Sequence, residues 1–298
     1  MPSTWFHKMT VSTGKAFVIG ITLNLIFVVI EFGAGIFLNS LALISDAGHN
    51  LSDVASLALA LVAFNLARVK PNQTFTYGLR KSTVLISLVN AVILMIVIGA
   101  IAWESIARLR VTEVVQGDSI ALVAGIGIVI NAITALLFFK ERKKDLNIKG
   151  AFLHMAADAL VSLGVVCTGL LIGLTHWYWM DTAMSLAIVL VILISTWGLL
   201  RDSAVLALDG VPKGIDLDKV RNELMKSGEV KQVHHIHVWA MSTTENALTA
   251  HVTVANDFPL SGLEPLKSRM KTNLATMNIQ HATLEFELES EPCLKTDC

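Results

Sequence analysis

Long stretches of this chain carry no charge. Thr83 to Ala102, Ser119 to Phe139 and Thr182 to Leu200 run 20, 21 and 19 residues without Asp, Glu, Lys or Arg. A helix rises about 1.5 Å per residue, so each run has the length needed to cross about 30 Å of hydrocarbon. The composition agrees: 54% of the residues are hydrophobic, 16% are charged and the mean hydropathy is +0.63, whereas soluble domains carry about a quarter charged residues. Disordered, collagenous and disulfide-stapled chains are excluded, the last because the three cysteines, Cys167, Cys293 and Cys298, form no extracellular framework. A net charge of −1 and a pI near 6.8 argue against a nucleic-acid partner.

Three further segments are long enough to span but are interrupted. Ala16–Phe37 contains Glu31, Ser40–Ala67 contains Asp46, His49 and Asp53, and Ala151–Leu174 contains His154 and Asp158. The expectation is an all-α transmembrane domain over residues 1–209 with six helices near 15–37, 40–67, 80–107, 118–140, 149–174 and 178–206. The first is too long for a signal peptide's apolar region of about 7–15 residues. Basic residues gather in the loops on one side (Lys8, Lys15, Arg68, Lys70, Arg80, Lys81, Lys140, Arg142, Lys143, Lys144, Lys149), with Arg108 and Arg110 opposite. The positive-inside rule then puts both termini in the cytoplasm, with a bacterial inner membrane as the default location.

Residues 210–298 turn polar and read as a small α+β cytoplasmic domain of order α-β-β-α-β. Leu217–Ser227 is amphipathic, Val230–Ala240 and Ala247–Ala255 are rich in β-branched residues, Leu263–Met277 is a second helix with Pro265 in its first turn, and His281–Glu289 alternates as a strand. By strand parity His235 and His237 fall with Trp239 on one face, and His234 on the apolar one.

The chemistry lies in residues that do not belong in lipid. A carboxylate at bilayer depth costs roughly 2.5–3.5 kcal/mol, yet two spans repeat one pattern, His49-x-x-x-Asp53 and His154-x-x-x-Asp158. A spacing of four puts both side chains on one helical face. Two such pairs packed together offer two imidazole nitrogens and two carboxylate oxygens, a tetrahedral set suited to Zn²⁺. A single copy is equally an internal hydrogen-bonded pair; two copies in separate spans favour a ligand set. Metal and protons compete for the same atoms, and histidine titrates near neutrality, so such a set would exchange metal for protons.

Asn24 and Glu31, the run from Ser40 to Asp53, the second His-x-x-x-Asp, the run from Val233 to Trp239 and Ala250-His251-Val252 together resemble the cation diffusion facilitator family, in particular its zinc-transporting bacterial efflux branch. The resemblance implies a homodimer, a six-helix membrane domain, a metallochaperone-like (ferredoxin-like) cytoplasmic domain, and export of a divalent metal against protons through His49, Asp53, His154 and Asp158. It implies a second, regulatory zinc site at His234, His251, His281 and Glu287, which Cys293 and Cys298 could complete. It aligns Lys81 and Asp209 with an interlock that joins protomers; a solvated loop cation and a linker acid are the equal alternative. Two departures stand out: Pro71-Asn72-Gln73-Thr74 offers no metal ligands, and Thr83 replaces a family glutamate. Zn²⁺ is thus the expected substrate and regulatory ion, H⁺ the counter-ion and the lipid bilayer the surroundings, with no organic substrate and no enzymatic activity. Efflux of Cd²⁺, Co²⁺, Ni²⁺ or Fe²⁺, a membrane metal sensor, and an intramembrane metallohydrolase are the alternatives; the last lacks a His-Glu-x-x-His motif.

Overall fold

The computed structural model describes residues 11–110, 113–139 and 146–290, and leaves out some helical side chains, those of Asp53 and His154 among them. Six long helices come first: α1 (Val11–Phe37), α2 (Leu41–Ala67), α3 (Ser82–Arg108), α4 (Gly117–Phe139), α5 (Leu146–Thr175) and α6 (Trp179–Ala207). Among the described residues, four stretches are long and apolar enough to cross a membrane: Ser82–Arg108, Gly117–Leu136, Ala157–Thr175 and Trp179–Ala207. Helices satisfy every backbone group internally, which hydrocarbon requires. Their outer faces expose Ile96, Trp103, Leu122, Leu136, Leu160 and Trp197, large apolar side chains that water would not tolerate as a continuous surface.

Contacts divide the chain into two compact units, Met1–Ala58 with Ile93–Trp197, and Leu59–Val92 with Gly198–Cys298. The first holds a core of Ala42, Leu43, Ile98, Ile120, Ala124, Val165, Ile172, Ile188 and Ile192, drawn from five helices. α4 and α5 meet backbone to backbone: a Cβ added at Gly169 would sit 2.7 Å from the Gly117 carbonyl oxygen and 2.7 Å from the Ala121 nitrogen. Small residues permit this approach, and van der Waals packing of this kind drives helix association where lipid removes the hydrophobic gain.

The start of α2 is held from two sides. Asn39 takes a left-handed conformation (φ 56°), and Arg108 donates to its carbonyl oxygen at 2.7 Å and to its side-chain oxygen at 2.8 Å. The buried carboxylate of Asp181, on α6, caps α2: it accepts the Leu41 N–H at 2.7 Å and the Ser40 hydroxyl. Ser45, Ser105 and Ser185 then share hydroxyl hydrogen bonds of 2.6 and 2.8 Å across α2, α3 and α6. These contacts fix the height of α2, and so of every side chain further along it.

In the second unit α7 (Leu217–Met225) is capped by Asp216, which accepts from the Asp218 and Lys219 N–H groups at 3.0 and 3.2 Å. The sheet, order β1-β2-β3, is mixed: β1 (Val230–Ala240) runs antiparallel to β2 (Asn246–Val254), and β2 parallel to β3 (His281–Leu288). The parallel pair needs a crossover, supplied by α8 (Leu260–Thr276). Leu266, Met270 and Leu274, spaced by four, face a core that includes Val220, Leu224, Val233, Val238, Leu248, Val252 and Ile279. Because α8 begins at Leu260, Pro265 lies in its second turn rather than its first, where it removes one helical N–H···O=C bond.

The segment between α2 and α3 is tied to this domain. Lys81 Nζ donates to the Leu206 carbonyl at 2.9 Å, to Asp209 at 2.5 Å and to the Ala240 carbonyl at 3.0 Å. Arg80 pairs with Glu245, and Thr83 Oγ1 accepts the Thr243 N–H at 3.0 Å. Lys81 and Asp209 therefore pair within a single chain.

Replacing Asp181 with Ala leaves the Leu41 N–H and the Ser40 hydroxyl without their buried acceptor, a loss of about 1–3 kcal/mol. The thermal midpoint of the detergent-solubilised protein falls for Asp181→Ala and falls less for Asp181→Asn, which keeps one acceptor. Equal midpoints for Asp181→Ala and the parent would contradict the cap.

Candidate metal centre

Two clusters hold metal-ligating groups. The first lies between α2 and α5. His49 Nε2 stands 3.5 Å from Asp158 Oδ1, and Asp158 is almost wholly buried. One turn away on the same two helices, Ser162 Oγ donates to Asp46 Oδ2 at 3.0 Å. These two rungs fix α2 and α5 antiparallel with one register. Asp53 and His154 sit four residues on from His49 and four before Asp158; their side chains lie outside the described residues. The structure thus brings together one expected ligand from each helix. An imidazole nitrogen facing a carboxylate oxygen is a hydrogen-bonded pair when a proton lies between them. The same two atoms offer lone pairs to a dication when it does not.

Two neighbours of this cluster were not singled out as site residues from the sequence. Glu31 and Asp46 are both fully buried, and Asn50 Nδ2 donates to Glu31 Oε2 at 3.4 Å. The signal was present, since both are carboxyls in otherwise apolar spans, but the repeated His-x-x-x-Asp pattern drew attention from them.

The second cluster lies on the sheet face turned away from the cytoplasmic core. Register pairs His234 with His251 and Glu285 with His251, while Thr253 pairs with Glu287. His251 Nδ1 hydrogen-bonds Glu287, His251 Nε2 is 3.5 Å from Glu285, and His234 Nε2 is 3.3 Å from Glu287 Oε2. That last contact is close enough for an ion pair but is not aligned as a hydrogen bond, so Glu287 Oε2 and His234 Nδ1 remain buried polar atoms without a hydrogen-bonding partner. The ligand atoms of His234, His235 and His251 lie within 4.8 Å of one another, as do those of His251, Glu285 and Glu287. Three imidazoles and a buried carboxylate with unsatisfied donor atoms fit a zinc ion, which takes nitrogen and oxygen ligands at about 2.0–2.2 Å.

His235 joins this cluster because β1 is bulged. Between the pairs His234↔His251 and His237↔Thr249 two residues face one, and His235 takes φ 48°. The extra residue reverses the alternation, so Val233 and Val238 both reach the core although their spacing is odd. That reversal corrects the parity expectation: His234 faces outward beside His251, not into the apolar face. His281 is the other correction. It shares the strand face of Glu285 and Glu287 but pairs with Ala247, six residues before Glu287 on β3, or about 20 Å at roughly 3.3 Å per residue. Its ring packs edge-on against Tyr77, with centroids 5.4 Å apart, and Nε2 is 3.4 Å from the Tyr77 hydroxyl. His235 and Glu285, rather than His281, lie with His251 and Glu287. Cys293 and Cys298 lie outside the described residues.

His251→Ala, which removes the group common to both triads, lowers the zinc bound per chain when the purified full-length protein is dialysed against zinc; His281→Ala leaves it unchanged. Loss of zinc in His281→Ala together with retention in His251→Ala would reverse the assignment.

Residues 17–206 match the family model for the cation efflux transmembrane domain, and residues 212–279 match that for the cytoplasmic domain of cation efflux proteins, a dimerising type. The cation efflux system protein CzcD of an Alcaligenes species is 34% identical over 280 residues, covering 94% of this chain and 87% of that protein. The zinc transporter ZitB of Escherichia coli is 34% identical over 275 residues, 91% of this chain and 86% of its own length. The cadmium, cobalt and zinc/H(+)-K(+) antiporter of Bacillus subtilis is 31% identical over 266 residues, 89% of this chain and 86% of its own. The chain belongs to the cation efflux, or cation diffusion facilitator, family of membrane metal transporters, whose members are not enzymes.

Proposed function

We propose that this protein exports Zn²⁺ from the cytoplasm in exchange for protons, by alternating access at a site formed by His49, Asp53, His154 and Asp158. The observation that carries the reading is the approach of His49 to Asp158 within a bundle of apolar helices. The register set by the 49–158 and 46–162 rungs, continued one turn, brings positions 53 and 154 of the two helices opposite each other. On this reading two imidazoles and two carboxylates supply the ligands, and a bound dication offsets the mutual repulsion of the aspartates. The relatives' names, a zinc transporter and a cadmium, cobalt and zinc antiporter, support the substrate class.

The wider reading is a six-crossing domain over residues 1–209, with both termini cytoplasmic, and a ferredoxin-like domain over 210–298. The latter dimerises and holds a regulatory zinc between His234, His235, His251, Glu285 and Glu287. Lys81, bonded to both Asp209 and the end of β1, is placed to carry movement of that domain to the membrane helices.

Moving charge against the membrane potential costs about 2.3 kcal/mol per elementary charge per 100 mV, so exporting Zn²⁺ costs about 4.6 and one returning proton recovers about half. The balance needs a pH gradient, a metal gradient or a second proton.

Zinc uptake by everted vesicles tests the reading: an imposed proton gradient drives uptake, and Asp158→Ala reduces it at least tenfold. Parental uptake by Asp158→Ala would remove the assigned site, and uptake indifferent to a collapsed gradient would remove the exchange. Protonated imidazole cannot bind metal, so zinc affinity at the site rises with pH; an affinity independent of pH would contradict histidine ligation.

A further inference from the structure

Asn131 is the only amide in the charge-free run from Ser119 to Phe139. It lies in α4 and is wholly shielded from solvent. Its Nδ2 and Oδ1 are both buried, and no hydrogen-bonding group among the described residues reaches either. The polar side chains around it fare better. Glu31 and Asp46 each accept one hydrogen bond, from Asn50 and Ser162, and Thr134, one turn along α4, donates to the Ile130 carbonyl at 2.8 Å. Burying an amide in apolar surroundings without a partner is costly, and a leucine of similar volume would carry no such cost.

The packing of α4 on α5 says what this amide faces. A Cβ added at Gly117 would lie 2.5 Å from the Gly173 nitrogen, one at Gly169 2.7 Å from the Ala121 nitrogen, and one at Gly127 3.4 Å from Ser162 Oγ. The two helices therefore run antiparallel in a single register. Asn131 is four residues on from Gly127 along α4, and Asp158 is four residues back from Ser162 along α5. Residues four apart share a helical face. The Gly127–Ser162 contact, continued one turn, thus sets Asn131 opposite Asp158, which in turn meets His49 Nε2 of α2 at 3.5 Å.

We propose that Asn131 is a positioning residue for the transported dication, its Nδ2–H donating to Asp158 when that carboxylate holds the ion. The proposal rests on the transport-site reading above. A carboxylate bound to a metal through one oxygen keeps acceptor capacity on the other, and a hydrogen bond there fixes its orientation. An amide suits the position because it donates without adding charge. Lys or Arg in its place would compete with the ion for Asp158.

The test separates affinity from stability. Detergent-solubilised full-length protein carrying His234→Ala and His251→Ala, which disable the cytoplasmic cluster, is titrated with zinc against a chelating indicator. Asn131→Leu in this background lowers zinc affinity about tenfold to a hundredfold. The zinc-free thermal midpoint stays at or above that of the background, because Leu removes a buried amide that has no partner. Zinc X-ray absorption keeps the same nearest neighbours, since Asn131 orients a ligand and is not one. If Asn131→Leu is not monodisperse, Asn131→Ala is read in its place for affinity, with the same expected loss. Unchanged affinity in the variant, with zinc binding still abolished by His49→Ala, would overturn the role of Asn131 alone. So would a lowered zinc-free midpoint in Asn131→Leu, whatever its affinity, which would mark an amide that only holds helices together. A lost nearest neighbour would make the amide itself a ligand and overturn the positioning role. Zinc binding undiminished by His49→Ala would instead overturn the transport-site reading.

Discussion

A carboxyl group inside a bundle of apolar helices must have a partner, and that requirement organises the first unit of this protein. Asp158 has His49, Asp46 has Ser162, Glu31 has Asn50, and Asp181 has the first turn of α2. Each partnership joins two helices, so the same contacts that offset desolvation also fix the helices' relative heights. α2 takes part in all of them. It is the helix on which the chemistry depends.

That dependence gives the small-residue contact of α4 with α5 and the hydrogen bonds around Asn39 a functional meaning. α5 brings Asp158 and Ser162 to α2 at fixed positions because its own packing against α4 leaves no slack at Gly169 and Gly117. Arg108 and Asp181 hold the opposite end of the system by setting where α2 begins. The alternating access proposed above would require some of these contacts to exchange partners. Bonds between hydroxyls such as Ser45 and Ser185 are suited to that, since either oxygen can donate.

Much of this was legible in the sequence because lipid simplifies the code. Charge-free runs mark the bodies of α3, α4 and α6, and a carboxylate among Leu and Ile announces itself. The cytoplasmic elements α7, β1, β2, α8 and β3 follow from periodicity and β-branched content. What was not legible depends on single backbone angles and on distance along a strand. A left-handed His235 reverses the parity of β1, and no residue type there signals it, because Gly or Asn would be the usual marker and His is neither. Parity put His281 on the same face of β3 as Glu285 and Glu287 but could not say that the cluster of His251 with those two carboxylates lies at the other end of the strand. The Glu31–Asn50 hydrogen bond needed the third dimension, since nothing in the spacing of residues 31 and 50 brings them together.

The central claim is that a dication is held inside the membrane domain by imidazole and carboxylate from α2 and α5. Zinc X-ray absorption on protein carrying His234→Ala and His251→Ala, which disables the cytoplasmic cluster, addresses it directly. The expected spectrum has four nitrogen or oxygen neighbours at about 2.0–2.2 Å with imidazole outer-shell scattering, lost on further replacement of His49. Zinc absent from that protein, or bound in a shell without imidazole, would contradict the claim.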